Sequence, residues 1–203
     1  MDDIRQLFAS WKTTIDMMLD RGYIFETPYN EIGFEEFKIL YGDRNCDIYA
    51  TDNTWEPGKK MYAKFILNPK TKTSQVKEYI EEIVEKYLDT DKDELLIVMR
   101  GLFNSNIMKI QKDKMYKYVQ IMWVKNLLFN PTRHSLVPKH EKISKEEMES
   151  VLIKYELKSK SQLPLITKDD PIVRWYNFKS GDIIRIIRAS ETTKEAIFYR
   201  CVK

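Results

Sequence analysis

The chain has 203 residues, room for one large domain or two small ones, since domains typically run about 100 to 150 residues. Hydrophobic residues at 43% and aromatic residues at 12% suffice for a core, so the 32% that is charged forms a solvated surface and a disordered chain is excluded. The formal charge of +3 does not by itself mark a nucleic-acid binder; residues 131–203 hold 15 Lys and Arg against 10 Asp and Glu, leaving 19 against 21 before them, a bias that a solvated face explains.

No stretch approaches the roughly 20 apolar residues that span a bilayer, and Met1-Asp2-Asp3 lacks the basic-then-apolar order of a secretory signal. An intracellular protein with no membrane partner is the expectation. Cys46 and Cys201 are far apart and show no ligand spacing, which fits a reducing compartment. His134 and His140 are the only histidines, too few donors for a closed zinc site, so no metal or other cofactor and no small-molecule substrate is expected.

The first segment places Ile4, Leu7, Phe8, Trp11, Ile15, Met18 and Leu19 at helical spacing, with Asp2 or Asp3 as cap and Gly22 as stop. Pro28 and Asn30 then precede Ile32, Phe34, Phe37 and Leu40, a turn followed by a short second helix. Residues 46–50 and 60–67, separated by Pro57-Gly58, read as a strand pair. Helical spacing returns from Val76 to Leu88 with Ser74 as cap, and the apolar run Leu95 to Met99 reads as a buried strand. A short helix from about Asn104 to Lys112 leads to a last strand, Tyr118 to Val124. This order predicts a right-handed crossover and an α/β layer domain over residues 1–130.

After Asn130-Pro131 the grammar changes. Ser144-Lys145-Glu146-Glu147 reads as a capping box, opening a helix over residues 145–155 with Met148, Val151, Leu152 and Tyr155 on its apolar face. Gln162-Leu163-Pro164 and Asp170-Pro171 read as turns. Beyond Gly181, residues 183–188 and 196–202 predict an antiparallel pair, giving a compact α+β module over residues 131–203.

Within that module His134-Ser135-Leu136-Val137-Pro138-Lys139-His140, the capping box, Gln162-Leu163-Pro164, Asp170-Pro171, Gly181-Asp182, Ile186-Ile187-Arg188 and Ser190-Glu191-Thr192 stand in a shared order. It is the order of the fifth shared subunit of eukaryotic RNA polymerases and of its archaeal counterpart, a family that the chain resembles. Trp11 through Met18 to Asp20-Arg21-Gly22-Tyr23 resembles the opening helix of the eukaryotic form, part of a domain that the archaeal counterpart lacks. Residues 24–100 carry no motif of the resemblance. Leu165 stands where the family usually has a basic residue, Asn177 where it has Gly, and Lys194-Glu195 where a Gly-Arg turn is common, which questions the turns there.

The resemblance implies a non-catalytic subunit of a multisubunit DNA-dependent RNA polymerase, made of a jaw domain of restriction-endonuclease-like topology and a small assembly domain. The assembly domain is implied to dock on the largest subunit and contact other polymerase subunits. Its expected partner-binding residues are His134, Pro138 and His140, on a stiff extended segment, and Arg174, Trp175, Arg188 and Glu191. Trp175 and Tyr176 are equally compatible with a core. Asn104, Ser105, Asn106 and Lys109 resemble a jaw loop close to downstream duplex DNA, where contacts would be to the backbone alone; helix capping explains these residue types as well. The expected place is the nucleus for a cellular eukaryotic member, and the virion or the host cytoplasm or nucleus for a viral one.

Two other functions share this fold. A metal-dependent nuclease needs acidic residues and a Lys at the ends of adjacent strands; Asp91, Asp93 and Glu94 are candidates, but no Glu-x-Lys or Asp-x-Lys on the next strand completes the set. A free-standing transcription regulator differs only in lacking a stoichiometric polymerase partner.

Overall fold

The computed structural model describes residues 3–41, 45–101, 103–190 and 194–203. The chain forms two compact units, Met1–Phe129 and Asn130–Lys203.

In the first unit, helix α1 (Asp3–Asp20) buries Leu7, Trp11, Ile15 and Met18 at the expected spacing, while Leu19 stays exposed. Trp11 anchors an aromatic cluster with Phe37 and Tyr41 of α2 (Phe34–Tyr41), and its Nε1 donates to Cys46 O at 3.1 Å. Gly22 stops the helix at φ +86°, and a Cβ there would lie 2.8 Å from the Trp55 ring, so both conformation and space call for glycine. Strands β1 (Tyr23–Ile24) and β3 (Asp52–Asn53) make a small antiparallel pair that the sequence patterns do not reveal.

The main sheet of this unit has the order β2-β4-β5-β6, from β2 (Ile48–Ala50), β4 (Met61–Ile66), β5 (Glu94–Met99) and β6 (Val119–Trp123). The strand β2 pairs antiparallel with β4, and the rest is parallel. The apolar run Leu95–Met99 in β5 and the fully buried β6, apolar except for Gln120, match strands covered on both faces. The helices α3 (Thr73–Tyr87) and α4 (Ser105–Lys112) are the crossovers that parallel pairing requires. On one face, Val76, Ile80 and Ile83 of α3 and Ile107 and Ile110 of α4 pack against Leu95, Ile97, Val119 and Ile121. Ser74 is not the cap of α3: Lys72 is the N-cap residue, and the Gln75 side chain accepts its backbone N–H at 2.9 Å.

The second unit has a sheet of order β7-β9-β10-β8, from β7 (Lys139–Lys142), β8 (Leu165–Ile166), β9 (Ile183–Ser190) and β10 (Lys194–Val202). The expected antiparallel pair is present, and β7 adds to it; β8 pairs parallel with the end of β10, so the sheet is mixed. Each face carries a helix. Ile183 and Cys201 pack with Val151 of α5 (Lys145–Lys154), and Ile184, Ile186 and Val202 with Val173 of α6 (Pro171–Tyr176).

Several local expectations fail. Asp170-Pro171 opens α6: Asp170 Oδ1 accepts from Ile172 N at 2.8 Å, and Pro171 occupies a first-turn position that needs no amide donor. Ser144 accepts from Glu147 N at 3.2 Å as a box requires, but the Glu147 carboxylate turns to Arg185 Nη1 at 2.5 Å. Residues 134–137 are a turn closed by Val137 N to His134 O at 2.9 Å, with His134 Nδ1 accepting from Leu136 N at 3.2 Å, so the extended path begins only near Lys139. Asn177 takes the left-handed conformation at φ 54° at the end of α6, so this turn survives without glycine.

Candidate functional site

The second unit carries an open groove of about 670 Å³ that brings together chain segments remote in sequence. Pro138 and His140 enter from β7 and the residue before it, Arg188 from β9, Phe198 and Arg200 from β10, and Leu163-Pro164 from the approach to β8. Three of the residues expected at a docking site, Pro138, His140 and Arg188, thus share one surface.

Strand register explains why. His140 lies opposite Ile186 and Ile186 opposite Phe198, while Arg188 lies opposite Ala196. Side chains in register share a face, so Arg188, Phe198 and Arg200 flank one another on the face that bears His140. The turn before β7 is set by Pro138, whose carbonyl accepts from His140 Nδ1 at 2.7 Å. A carbonyl only accepts, so the neutral ring carries its proton on Nδ1. Burial pulls the His140 pKa below the usual histidine value, opposed by the Pro138 carbonyl and Asp170, with Arg200 and Arg188 adding to the fall. Behind the groove, Arg185 clamps β7, β9 and α5: Nη2 reaches Glu141 Oε2 at 2.7 Å and Nη1 reaches Glu147.

The other expected docking residues are not gathered here. Trp175 is only 1% exposed, so it offers no surface anchor; on a helix as short as α6, the buried face takes Ile172, Val173 and Trp175 together. Arg174, partly buried on α6, and His134, in the turn before β7, do not line the groove, and Glu191 lies outside the described residues. Sequence reasoning missed Ile197, Phe198, Arg200 and Asp170, all of which line it. One signal was available: Ile197 and Phe198 are adjacent, so a strand there presents a large apolar side chain to each face, and both stay half exposed, at 49% and 50%.

In the first unit, Asn104 caps α4, its Oδ1 accepting from Asn106 N at 2.9 Å, and Lys109 Nζ reaches Asn106 Oδ1 at 3.0 Å. Ser105, Asn106 and Lys109 are exposed beside Phe103, which rests on Trp123. The geometry of helix capping accounts for the Asn and Ser types.

The acidic candidates for metal chemistry have structural duties. Asp93 accepts from Lys60 N at 2.7 Å and Asp89 N at 2.8 Å, closing the turn before β5. Glu94 is held between Arg21 at 3.3 Å and Lys59 at 3.1 Å, and Asp91 pairs with Lys117.

Comparison with known proteins assigns both units. Residues 1–83 match the family model for the N-terminal domain of RNA polymerase Rpb5, and residues 129–202 that for its C-terminal domain. The chain is 32% identical to DNA-directed RNA polymerases I, II, and III subunit rpabc1 of Dictyostelium discoideum, with all of both chains covered. It is 30% identical to the subunit RPABC1 of Caenorhabditis elegans, with 99% of each covered, and 25% identical to the polymerase IV and V subunit 5B of Arabidopsis thaliana, over 98% of this chain and 91% of that one. The two-domain α/β chain belongs to the Rpb5 family, the non-catalytic subunits of DNA-directed RNA polymerases.

Proposed function

We propose that the groove of the second unit is where the chain docks on the largest polymerase subunit, making residues 131–203 the assembly domain, and that residues 1–130 act as a jaw near downstream DNA. The observation that carries this reading is the convergence of Pro138, His140 and Arg188 with the half-exposed Phe198 on one surface. An arginine beside an exposed aromatic is the pairing that dominates interface energetics. Names of relatives refer to subunits shared by polymerases I, II and III, which supports contacts with further polymerase subunits as well.

For the jaw, exposed Lys109 and Lys112 on α4, beside Ser105 and Asn106, suit phosphate contacts without base reading. The resemblance of this domain to the restriction-endonuclease topology belongs to the same reading, as does work in the nucleus of a eukaryotic cell, or in a virion or host compartment for a viral member.

One paired experiment tests both roles. Arg188→Glu with Phe198→Asp should lower capture of the polymerase by at least about tenfold, since anchors of this kind are each worth about 2 kcal/mol. Lys109→Glu with Lys112→Glu should leave capture intact and reduce the salt dependence of elongation-complex stability by about one unit per lost phosphate contact. Normal capture by the groove variant, with failed capture by the jaw variant, would reverse the two roles.

A further inference from the structure

The two edges of the second unit's sheet are built differently. One edge is β7, Lys139-His140-Glu141-Lys142, preceded by Pro138: charged side chains and a proline, the usual devices that stop another strand from adding. The other is β10, nine residues long, which β8 covers only at Cys201 and Val202. From Ile197 to Arg200 no strand among the described residues lies on that side, and there is no proline or lysine in this stretch.

Hydrogen-bond parity shows what the open edge presents. Cys201 N donates to Pro164 O at 2.9 Å and Lys203 N to Ile166 O at 2.9 Å, on the β8 side, whereas Val202 N donates to Asp182 O, on the β9 side. Amides and carbonyls alternate along a strand, so those of Ile197 and Tyr199 point outward beyond the end of β8. They open into the groove already described, which Ile197, Phe198, Tyr199 and Arg200 line. Only Arg200, whose Nη1 donates to Leu165 O at 3.3 Å, brings charge to this open edge, and the run Ile197-Phe198-Tyr199, exposed at its first two residues, is an aggregation hazard in a free protein, which argues that something covers it in the working state.

We propose that this edge is completed by strand addition: an extended segment of another polymerase subunit hydrogen-bonds to Ile197 and Tyr199 in the groove. This rests on the docking reading above and specifies its form. Charge and pattern identify the segment. Arg188, Phe198 and Arg200 share one face, and the Asp170 carboxylate near them is engaged as the cap of α6, so side chains on that face of the added strand are acidic. Ile197 and Tyr199 share the opposite face, with Tyr155 against Tyr199, so alternate side chains there are apolar. The Pro164 carbonyl bonded to Cys201 N bounds the free edge at its C-terminal end.

The test is amide hydrogen exchange on the full chain, free and within the purified polymerase. Ile197 and Tyr199 should exchange rapidly in the free chain and at least tenfold more slowly in the assembled enzyme. Ile197→Pro complements this: proline is tolerated where the missing N–H faces away from the sheet, so the variant should keep its far-ultraviolet spectrum and lose capture at least tenfold. If Ile197→Pro does not fold, exchange in the unaltered chain decides. Protection already present in the free chain, unchanged exchange in a polymerase that contains the chain, or normal capture of a folded Ile197→Pro would each overturn strand addition while leaving docking intact. A chain that never enters a polymerase would remove both.

Discussion

Arg21 Nη2 donates to Gln120 Oε1 at 2.7 Å, tying the residue that follows α1 to the interior of β6 across the first unit. The same guanidinium reaches Glu94 Oε2 at 3.3 Å, and Asn53 Nδ2 donates to the Arg21 carbonyl at 3.0 Å. Burial lowers the Arg21 pKa, with Glu94 pulling it back up. A buried charge with such partners holds three elements in one arrangement.

Removing it should be costly. Arg21→Ala takes a cation from the buried Gln120 and Glu94 groups and should destabilise the first unit by about 3 kcal/mol. Arg21→Lys keeps the charge but not the fork that spans both partners, so its loss should be smaller. Urea unfolding of the full chain checks this. A change in Arg21→Ala below about 0.5 kcal/mol, the range of ordinary surface substitutions, would mean the network does not hold the unit.

Trp175 gives a test of core against anchor. Trp175→Ala should cost about 3–5 kcal/mol by opening a cavity, and lose polymerase capture only as the second unit unfolds. Trp175→Phe should retain both fold and capture. Loss of capture by a well-folded Trp175→Phe variant would return this residue to the docking surface.

Acid should weaken the second unit in two steps. Burial depresses the His140 pKa, so between its folded value and the unfolded value of about 6.5 the unfolded chain holds more protons, and stability falls as pH drops through that window. Glu141 is also depressed, by its bonds to Lys139 and Arg185, and its contribution is lost only further down, below the usual glutamate value. His140→Gln should remove the upper step and leave the lower one, read as the urea midpoint against pH. An unchanged upper step in the variant would assign it to another group.

The cysteines should be inert in the native chain. Both are buried, and burial pushes the Cys46 thiol up to about 12, which leaves roughly three thousandfold fewer thiolates than a free cysteine at about 8.5. Labelling with a maleimide at neutral pH should proceed only after denaturation. Rapid labelling of Cys46 in the folded chain would show that the Trp11 cluster opens.

Much of the first unit is legible in sequence: Val76, Ile80 and Ile83 recur at helical spacing, and the run from Leu95 to Met99, short, β-branched at Ile97 and Val98 and followed by Gly101, has the marks of a buried strand. The two-residue strands β1, β3 and β8 and the six-residue helix α6 are not. The two residues of β8 are defined by a parallel partner 36 positions away, which no local pattern encodes. In α6 the helix signal lies in its ends, Asp170-Pro171 and Asn177, since six residues are too few for a period. The turn at His134 depends on a side-chain bond to Leu136 N, so proline alone suggested an extended path. The groove was half visible: resemblance singled out Pro138, His140 and Arg188, but only register puts Phe198 and Arg200 beside them.

Affinity capture of the tagged full chain from its source, with quantitative mass spectrometry of what comes with it, tests membership of a working polymerase most directly. The two largest polymerase subunits should be recovered at one copy each per copy of this chain, and the Arg188→Glu with Phe198→Asp variant should recover at least about tenfold less of both. Recovery of the chain without either large subunit would contradict the account and leave a free-standing regulator in its place.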